Sequence, residues 1–119
     1  MQLETIYASP GVLLLAIDNA GARLGCVGLR SLGEHDGFLV GEVRRLYVRD
    51  AGRGKGLGRT LMERLTDHAA AAGIDRLVLN TMPAMHEAVS LYESLGYKAV
   101  QPYVDEPTDG TLYMGLSLA

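Results

Sequence analysis

The spacing of apolar residues changes at a glycine-rich segment, residues 53–58, and this change most restricts the possible folds. Before the segment, residues 12–18, 24–32 and 41–49 are short apolar runs bounded by turn-forming residues, a pattern typical of β-strands. Their connections are too short for crossovers, so we expect an antiparallel meander. After the segment, apolar positions recur every three or four residues, as on an amphipathic helix: Leu57, Leu61, Met62, Leu65 and Ala69.

The second half of the chain continues this α/β pattern. Gly73 ends the first helix, and residues 75–79 form a short strand, which must run parallel to the strand before the helix. A second helix ends at Gly96, and its apolar face consists of Ala88, Leu91, Tyr92 and Leu95. Residues 98–103 and 111–118 are the last two strand candidates. The predicted order is βββ-α-β-α-ββ, with a mixed central sheet.

The composition indicates one globular domain, residues 1–119, that binds a small anion. A hydrophobic content of 48% excludes a disordered chain, and a net charge of −3 argues against general nucleic-acid or membrane-surface binding. The longest apolar run near the N-terminus, residues 12–17, is too short to span a bilayer, and we expect a cytoplasmic location. Six basic residues nevertheless fall within sixteen positions: Arg44, Arg45, Arg49, Arg53, Lys55 and Arg59. A local basic patch on an otherwise acidic chain favours a small anionic ligand over a long polyanion.

The metal-binding residue types lack the spacing of a metal site. The chain has one cysteine, Cys26, and three widely separated histidines, His35, His68 and His86. We therefore expect no metal. Cys26 lies within an apolar strand, where a buried packing role is favoured over a nucleophilic one.

The segment between strand and helix is suited to binding a phosphate. Glycines allow the backbone to approach an anion, and the first-turn amides and dipole of a helix favour its negative charge. A Walker A loop needs a different glycine spacing followed by Lys-Ser/Thr. A dinucleotide fingerprint should follow the first strand of a parallel βαβ unit. Neither pattern matches. The remaining alternative is a flexible turn whose basic residues are solvated.

These motifs resemble the GNAT superfamily of N-acetyltransferases. The central signature of that family, Gln/Arg-x-x-Gly-x-Gly/Ala, is matched by Arg53, Gly56 and Gly58. Residues 42–48 are similar to its fourth strand, and residues 91–97 to the end of its later helix. The resemblance implies a small, acetyl-CoA-dependent N-acetyltransferase that acts on a primary amine of a small molecule or peptide, without a covalent enzyme intermediate.

The resemblance also implies where acetyl-CoA binds. In the family the pantetheine arm pairs with the main chain of the fourth strand, and the pyrophosphate contacts the signature loop. These roles transfer to ten positions: Leu46, Tyr47, Val48, Arg53, Gly54, Lys55, Gly56, Leu57, Gly58 and Arg59.

Two catalytic roles follow from the same resemblance. Tyr92 corresponds to the tyrosine near the thioester sulfur and is our candidate general acid; the alternative is a tyrosine that only packs in the core. Glu42 aligns with a glutamate base of some members; the alternative is a surface glutamate paired with Arg44 or another arginine. His35 and His86 are weaker candidates for the base. Met85 stands where the family often has asparagine, so we expect no hydrogen bond from that side chain to the cofactor.

The N-terminal part departs from the family pattern. Family domains usually begin with a strand and two helices, and only residues 1–10 precede the first predicted strand here. We therefore expect those three elements to be lacking. Residues 12–17 are apolar at every position and predict burial on two sides, hence a homodimer that supplies the missing cover. Two other functions remain open: an inactive CoA-binding or structural domain, and a nucleotide-binding module.

Overall fold

The computed structural model describes residues 2–8 and 11–118. Seven strands in these ranges form one mixed sheet in the order β1-β2-β3-β4-β5-β7-β6. β4 and β5 are parallel and every other neighbouring pair is antiparallel, which confirms the predicted fold class. The elements are β1 Gln2–Ala8, β2 Gly11–Ile17, β3 Arg23–His35, β4 Phe38–Val48, a 3₁₀ turn Asp50–Gly52, α1 Leu57–Ala71, β5 Arg76–Thr81, α2 His86–Ser94, β6 Lys98–Ala99 and β7 Leu112–Ser117.

A strand precedes the predicted meander. Gln2–Ala8 pairs with Gly11–Ile17 along its whole length, from Gln2 opposite Ile17 to Ala8 opposite Gly11. The expectation that no strand would stand before residue 12 is therefore wrong. The backbone of an exposed edge strand gains hydrogen bonds from its neighbour even when most of its side chains stay in solvent. This explains why an apolar pattern alone did not reveal β1.

The turn between β3 and β4 is shorter than the sequence predicted. His35 pairs directly with Phe38, so the hairpin loop is Asp36-Gly37 rather than residues 33–37. Both loop residues have positive φ, +54° at Asp36 and +84° at Gly37, as an Asp-Gly hairpin turn requires. β3 therefore extends three residues beyond the predicted end.

The two faces of the sheet are covered unequally. α1 packs on β2, β3 and β4 and buries Val12, Leu14 and Ala16 of β2. The alternating residues Leu13 and Leu15 are only half-buried on the other side. Within one chain, residues 12–17 are therefore fully covered on one side only, and the expected cover of the other side by a second copy stays a prediction. We call the face defined by Ile6, Leu13, Leu15 and Cys26 the open face.

β4 and β5 separate from each other partway along their length and form a fork beside the candidate site. The two strands pair only from Val40 to Glu42 on β4 and from Arg76 to Val78 on β5. Beyond this point β4 continues against β3 alone, and β5 continues against β7 alone. The β5-facing edge of the β4 main chain after Glu42 has no strand beside it. No helix among the described residues is long and apolar enough to cross a membrane.

Candidate active site

A groove of about 820 Å³ runs along the end of β4 and the start of α1. We call it the cofactor groove. Nine of the ten positions predicted to bind the cofactor line it, and Lys55, exposed in the turn beside it, does not. The lining residues are Leu46, Tyr47, Val48, Gly52, Arg53, Gly54, Gly56, Leu57, Gly58, Arg59, Ala84, Met85, His86, Glu87, Ala88 and Leu91.

The start of α1 presents free amide groups to this groove. Gly54 and Gly56 have φ values of +76° and +69°, a left-handed conformation in which glycine carries no steric penalty. The first intrahelical bond runs from the Thr60 amide to the Gly56 carbonyl at 3.1 Å. The amides of residues 57–59 therefore precede that bond, and no side chain caps the helix within the described chain. An anion in the groove would meet these amides and the positive end of the helix dipole.

Two arginines beside the groove have protein partners. Arg53 Nε donates to the Val48 carbonyl at 3.3 Å, and its Nη1 lies 3.5 Å from Asp50 Oδ1. Both side chains of this ion pair are largely exposed, so the pair adds little to stability. Arg59 donates to Ser94 Oγ on α2. These contacts hold both guanidinium groups beside the groove.

A second cavity, of about 480 Å³, lies in the fork between β4 and β5. We call it the fork cavity. It shares Leu46, Met85 and Ala88 with the cofactor groove, so the two spaces adjoin. Both predicted catalytic residues line it. The lining residues are Arg30, Glu42, Val43, Arg44, Arg45, Leu46, Leu79, Asn80, Thr81, Met82, Met85, Ala88, Tyr92 and Thr111.

Tyr92 lies where the wall of the fork cavity meets the core. Its side chain is 7% exposed, and its ring packs against Tyr97 with 5.9 Å between ring centroids. Burial raises the pKa of the Tyr92 phenol above its ordinary value, because the charged form would lose solvation. The hydroxyl is therefore protonated at neutral pH. The packing alternative for Tyr92 is thus present, and the general-acid role stays a prediction.

Glu42 is buried at the inner end of the fork. Its Oε1 accepts a hydrogen bond from Arg30 Nη2 at 3.0 Å and lies 3.5 Å from Arg44 Nε. Its Oε2 accepts from the Tyr103 hydroxyl at 2.9 Å. The arginine pairing considered for Glu42 is thus present, but the carboxylate is 6% exposed and is not on the surface.

Tyr103 and Asn80 extend this network and were not singled out from the sequence. Asn80 Nδ2 donates to the Tyr103 hydroxyl at 3.1 Å, and the Tyr103 ring packs edge-on against Tyr113. The pKa of Tyr103 is raised, first by burial and then by the adjacent carboxylate of Glu42. Tyr103 lies 61 positions from Glu42. A contact between residues so far apart leaves no signal in local spacing.

The remaining candidate residues, His35, His86 and Cys26, do not line the fork cavity. His86 lines the cofactor groove, whereas His35 Nε2 is 3.0 Å from the Leu32 carbonyl in the β3–β4 hairpin. Cys26 is half-buried, not fully buried as expected, because it lies on the open face. Its Sγ donates to the Arg45 carbonyl at 3.4 Å. The described residues contain no group of three or more histidine, cysteine or acidic side chains that could hold a metal.

The family model described as Acetyltransferase (GNAT) family matches residues 2–97 of this chain. The chain belongs to the GNAT acetyltransferase family. An uncharacterised N-acetyltransferase of Schizosaccharomyces pombe is 36% identical over 114 residues, which are 95% of this GNAT chain and 68% of the relative. The match includes both strands of the fork and the glycine loop.

Solved structures share the GNAT fold. A GNAT-family acetyltransferase from Staphylococcus aureus superposes with a TM-score of 0.80 at 21% identity, over 93% of this chain and 70% of its own. The Salmonella typhimurium protein yncA, solved with its cofactor acetyl-CoA, has a TM-score of 0.73 at 27% identity, over 92% of this chain and 66% of its own. The present chain spans about two thirds of the length of each of these proteins.

Proposed function

We propose that the chain is an acetyl-CoA-dependent N-acetyltransferase that transfers an acetyl group from the thioester directly to a primary amine of a small molecule or peptide. One observation carries this proposal. A groove that starts at the uncapped amides of α1 adjoins a cavity lined by Tyr92 and Glu42, with Leu46 and Met85 common to both. A bound thioester and an amine would therefore meet at the boundary between groove and cavity.

The binding half of the proposal assigns acetyl-CoA to the cofactor groove. Its pyrophosphate contacts the amides of residues 57–59 and the loop that contains Gly54 and Gly56, with Arg53 and Arg59 beside it. Its pantetheine arm follows the edge of β4 that has no neighbouring strand, near Leu46. The acetyl-CoA bound to yncA, a GNAT-fold protein, supports this choice of ligand.

The chemical half assigns one proton to each catalytic residue. As the amine nitrogen bonds to the acetyl carbon and the C–S bond breaks, Glu42 accepts the amine proton through water. A carboxylate has about four acceptor positions, and Arg30, Arg44 and Tyr103 take three, which leaves one on Oε2. The Tyr92 hydroxyl donates its proton or a hydrogen bond to the departing thiolate.

The experiment measures binding and turnover separately. Acetyl-CoA should raise the thermal midpoint, because a ligand that binds only the folded state stabilises it by about 2.7 kcal/mol at a hundred times its Kd. Incubation with acetyl-CoA and a panel of amines, amino acids, polyamines and peptides should release free thiol. Binding without thiol release for any acceptor would instead support an inactive CoA-binding domain.

We propose further that the whole chain is one acyl-CoA-binding unit and that it forms a homodimer. One buried apolar cluster connects both helices to the sheet, which supports a single unit. The half-buried apolar side chains of the open face support self-association. The cytoplasmic location expected from the sequence stays a prediction.

A further inference from the structure

The fork cavity carries more positive than negative charge. Among its described lining residues, the charged side chains are three arginines, Arg30, Arg44 and Arg45, and one glutamate, Glu42. Arg30 and Arg44 both contact Glu42. Arg45 takes part in none of the ion pairs formed by the described part of the chain. One guanidinium charge at this cavity, that of the exposed Arg45, is therefore outside the ion pairs of the described residues.

The backbone of β4 is distorted at Arg45. Tyr47 pairs with Cys26 and Arg44 pairs with Gly28, so two residues of β4 oppose the single residue between Cys26 and Gly28. Arg45 has a φ of +56°, an uncommon conformation for a residue with a side chain. The Cys26 thiol donates to the Arg45 carbonyl within this bulge.

The bulge lies where β4 borders the fork cavity. Residues 42–46 all line this cavity, so Arg44 and Arg45 both border it, Arg45 at the position with positive φ. Both arginines also line a smaller cavity of about 260 Å³ beside Leu13 on the open face. Bulges are over-represented next to active sites. Arg45 is thus an exposed arginine at the edge of the fork cavity, on a distorted stretch of strand.

The phosphates of the cofactor do not account for Arg45. The proposed pyrophosphate site is in the cofactor groove, at the start of α1, with Arg53 and Arg59. Arg45 does not line that groove. Because Arg45 borders the fork cavity and not that groove, an anion that binds Arg45 in the cavity would belong to the other substrate, the acceptor.

We propose that the acceptor carries a carboxylate close to its primary amine and that Arg45 binds this carboxylate. The inference rests on the proposed function and names the acceptor class: free amino acids and similarly small amino carboxylates. A guanidinium binds a carboxylate through two parallel hydrogen bonds, and a cavity of about 480 Å³ suits one small molecule. Leu79, Met82 and Met85 supply apolar surface for its side chain. Polyamines and lysine side chains bring only positive charge and are disfavoured.

The test compares acceptors that differ only at the carboxylate. Leucine, methionine, phenylalanine and glutamate are each assayed by thiol release beside the corresponding α-amide and α-decarboxylated amine. A charge-assisted hydrogen bond predicts a kcat/KM about 10- to 100-fold higher for the amino acid than for its amide. Equal values for amide and amino acid would overturn the inference and leave the proposed function intact. No thiol release from any compound would overturn the proposed function.

Variants then attribute the preference to one residue. Arg45→Gln should remove the preference by raising KM for the amino acid toward that for the amide, with the KM for acetyl-CoA unchanged. Arg45→Gly should do the same and fold at least as stably, because glycine adopts the positive φ without strain. Arg64→Gln, at an exposed arginine of α1 outside both cavities, is the matched control. A preference that persists in both Arg45 variants contradicts the assignment.

Discussion

At the scale of single residues, the fork cavity combines a neutral phenol with a held carboxylate. Burial keeps the Tyr92 pKa above its ordinary value, so the hydroxyl stays protonated across the neutral range. Glu42 is fixed by Arg30, Arg44 and Tyr103. In the proposed reaction, Tyr92 donates a proton or a hydrogen bond and Glu42 accepts the proton of the amine.

Tyr92→Phe removes only the hydroxyl. Turnover should fall by about 10²–10⁴-fold if the phenol transfers a proton, and by less if it only donates a hydrogen bond. The affinity for CoA should stay nearly unchanged, because the ring still packs against Tyr97. Thiol release under conditions in which chemistry limits the rate, together with CoA titration, measures both quantities. Unchanged turnover would reduce Tyr92 to a packing residue.

Tyr97 carries a buried hydroxyl that has no hydrogen-bond partner among the described residues. Tyr97→Phe should therefore raise the free energy of unfolding by about 1 kcal/mol at neutral pH, because an unsatisfied polar group leaves the core. Urea denaturation measures this change. A loss of stability would show that the hydroxyl forms a hydrogen bond in solution.

The buried phenol of Tyr97 also predicts that the free energy of unfolding falls at alkaline pH. Burial, and then the neighbouring Tyr92, raise the pKa of Tyr97. The unfolded phenol titrates near pH 10, so the stabilisation is present below about pH 10 and is lost as the pH rises further. Tyr97→Phe should show a shallower loss of stability between about pH 9 and pH 11 than the parent chain. Parallel curves for the two proteins would contradict the burial account.

At the scale of elements, the sequence was informative where a local pattern decides the structure. The spacing of Leu57, Leu61 and Leu65 predicted α1, and the helical crossover predicted the parallel pairing of β4 with β5. Residues 98–103 did not form the whole predicted strand: β6 comprises Lys98–Ala99 only. The following chain places Tyr103 against Glu42, a contact between residues too distant in sequence for periodicity to reveal.

The candidate site was predictable to a similar extent. The motif around Gly56 predicted a tight loop before a helix, and a groove does lie along that loop. Binding of the cofactor in this groove stays a prediction. The bulge at Arg45 was not predicted, since no residue there favours positive φ and the distortion arises from pairing with β3. The charge of the fork cavity depends on that tertiary arrangement.

A substitution in the loop before α1 tests whether this loop binds the pyrophosphate of CoA. Gly56→Asp should abolish the rise in thermal midpoint caused by CoA, because it places a negative charge at the proposed pyrophosphate site. Aspartate tolerates positive φ better than most residues, so the variant should fold. Gly37→Asp is the matched control: its φ is also positive, an added Cβ would meet no atom within 4 Å at either glycine, and it lies in the β3–β4 hairpin. An undiminished shift in folded Gly56→Asp would contradict the proposed site.

At the scale of the whole molecule, the open face is a partly exposed apolar surface of the sheet. Ile6 is 44% exposed, and it lies directly opposite Leu13. Light scattering at micromolar concentration should report a dimer of the 12.8 kDa chain, because pairing two open faces removes this surface from water. Leu13→Lys should give a monomer, whereas Val104→Lys, at an exposed apolar residue elsewhere, should not. A stable monomeric parent chain would contradict the dimer.

Direct transfer between the cofactor groove and the fork cavity is the central claim. The most direct test is to incubate the protein with acetyl-CoA labelled in its acetyl group and with an amino acid, and to locate the label by mass spectrometry. The account predicts labelled acetyl on the amine nitrogen, equal in amount to the thiol released, and none covalently attached to the protein. Thiol release with an unlabelled amine, or label held on the protein as an intermediate, would contradict it.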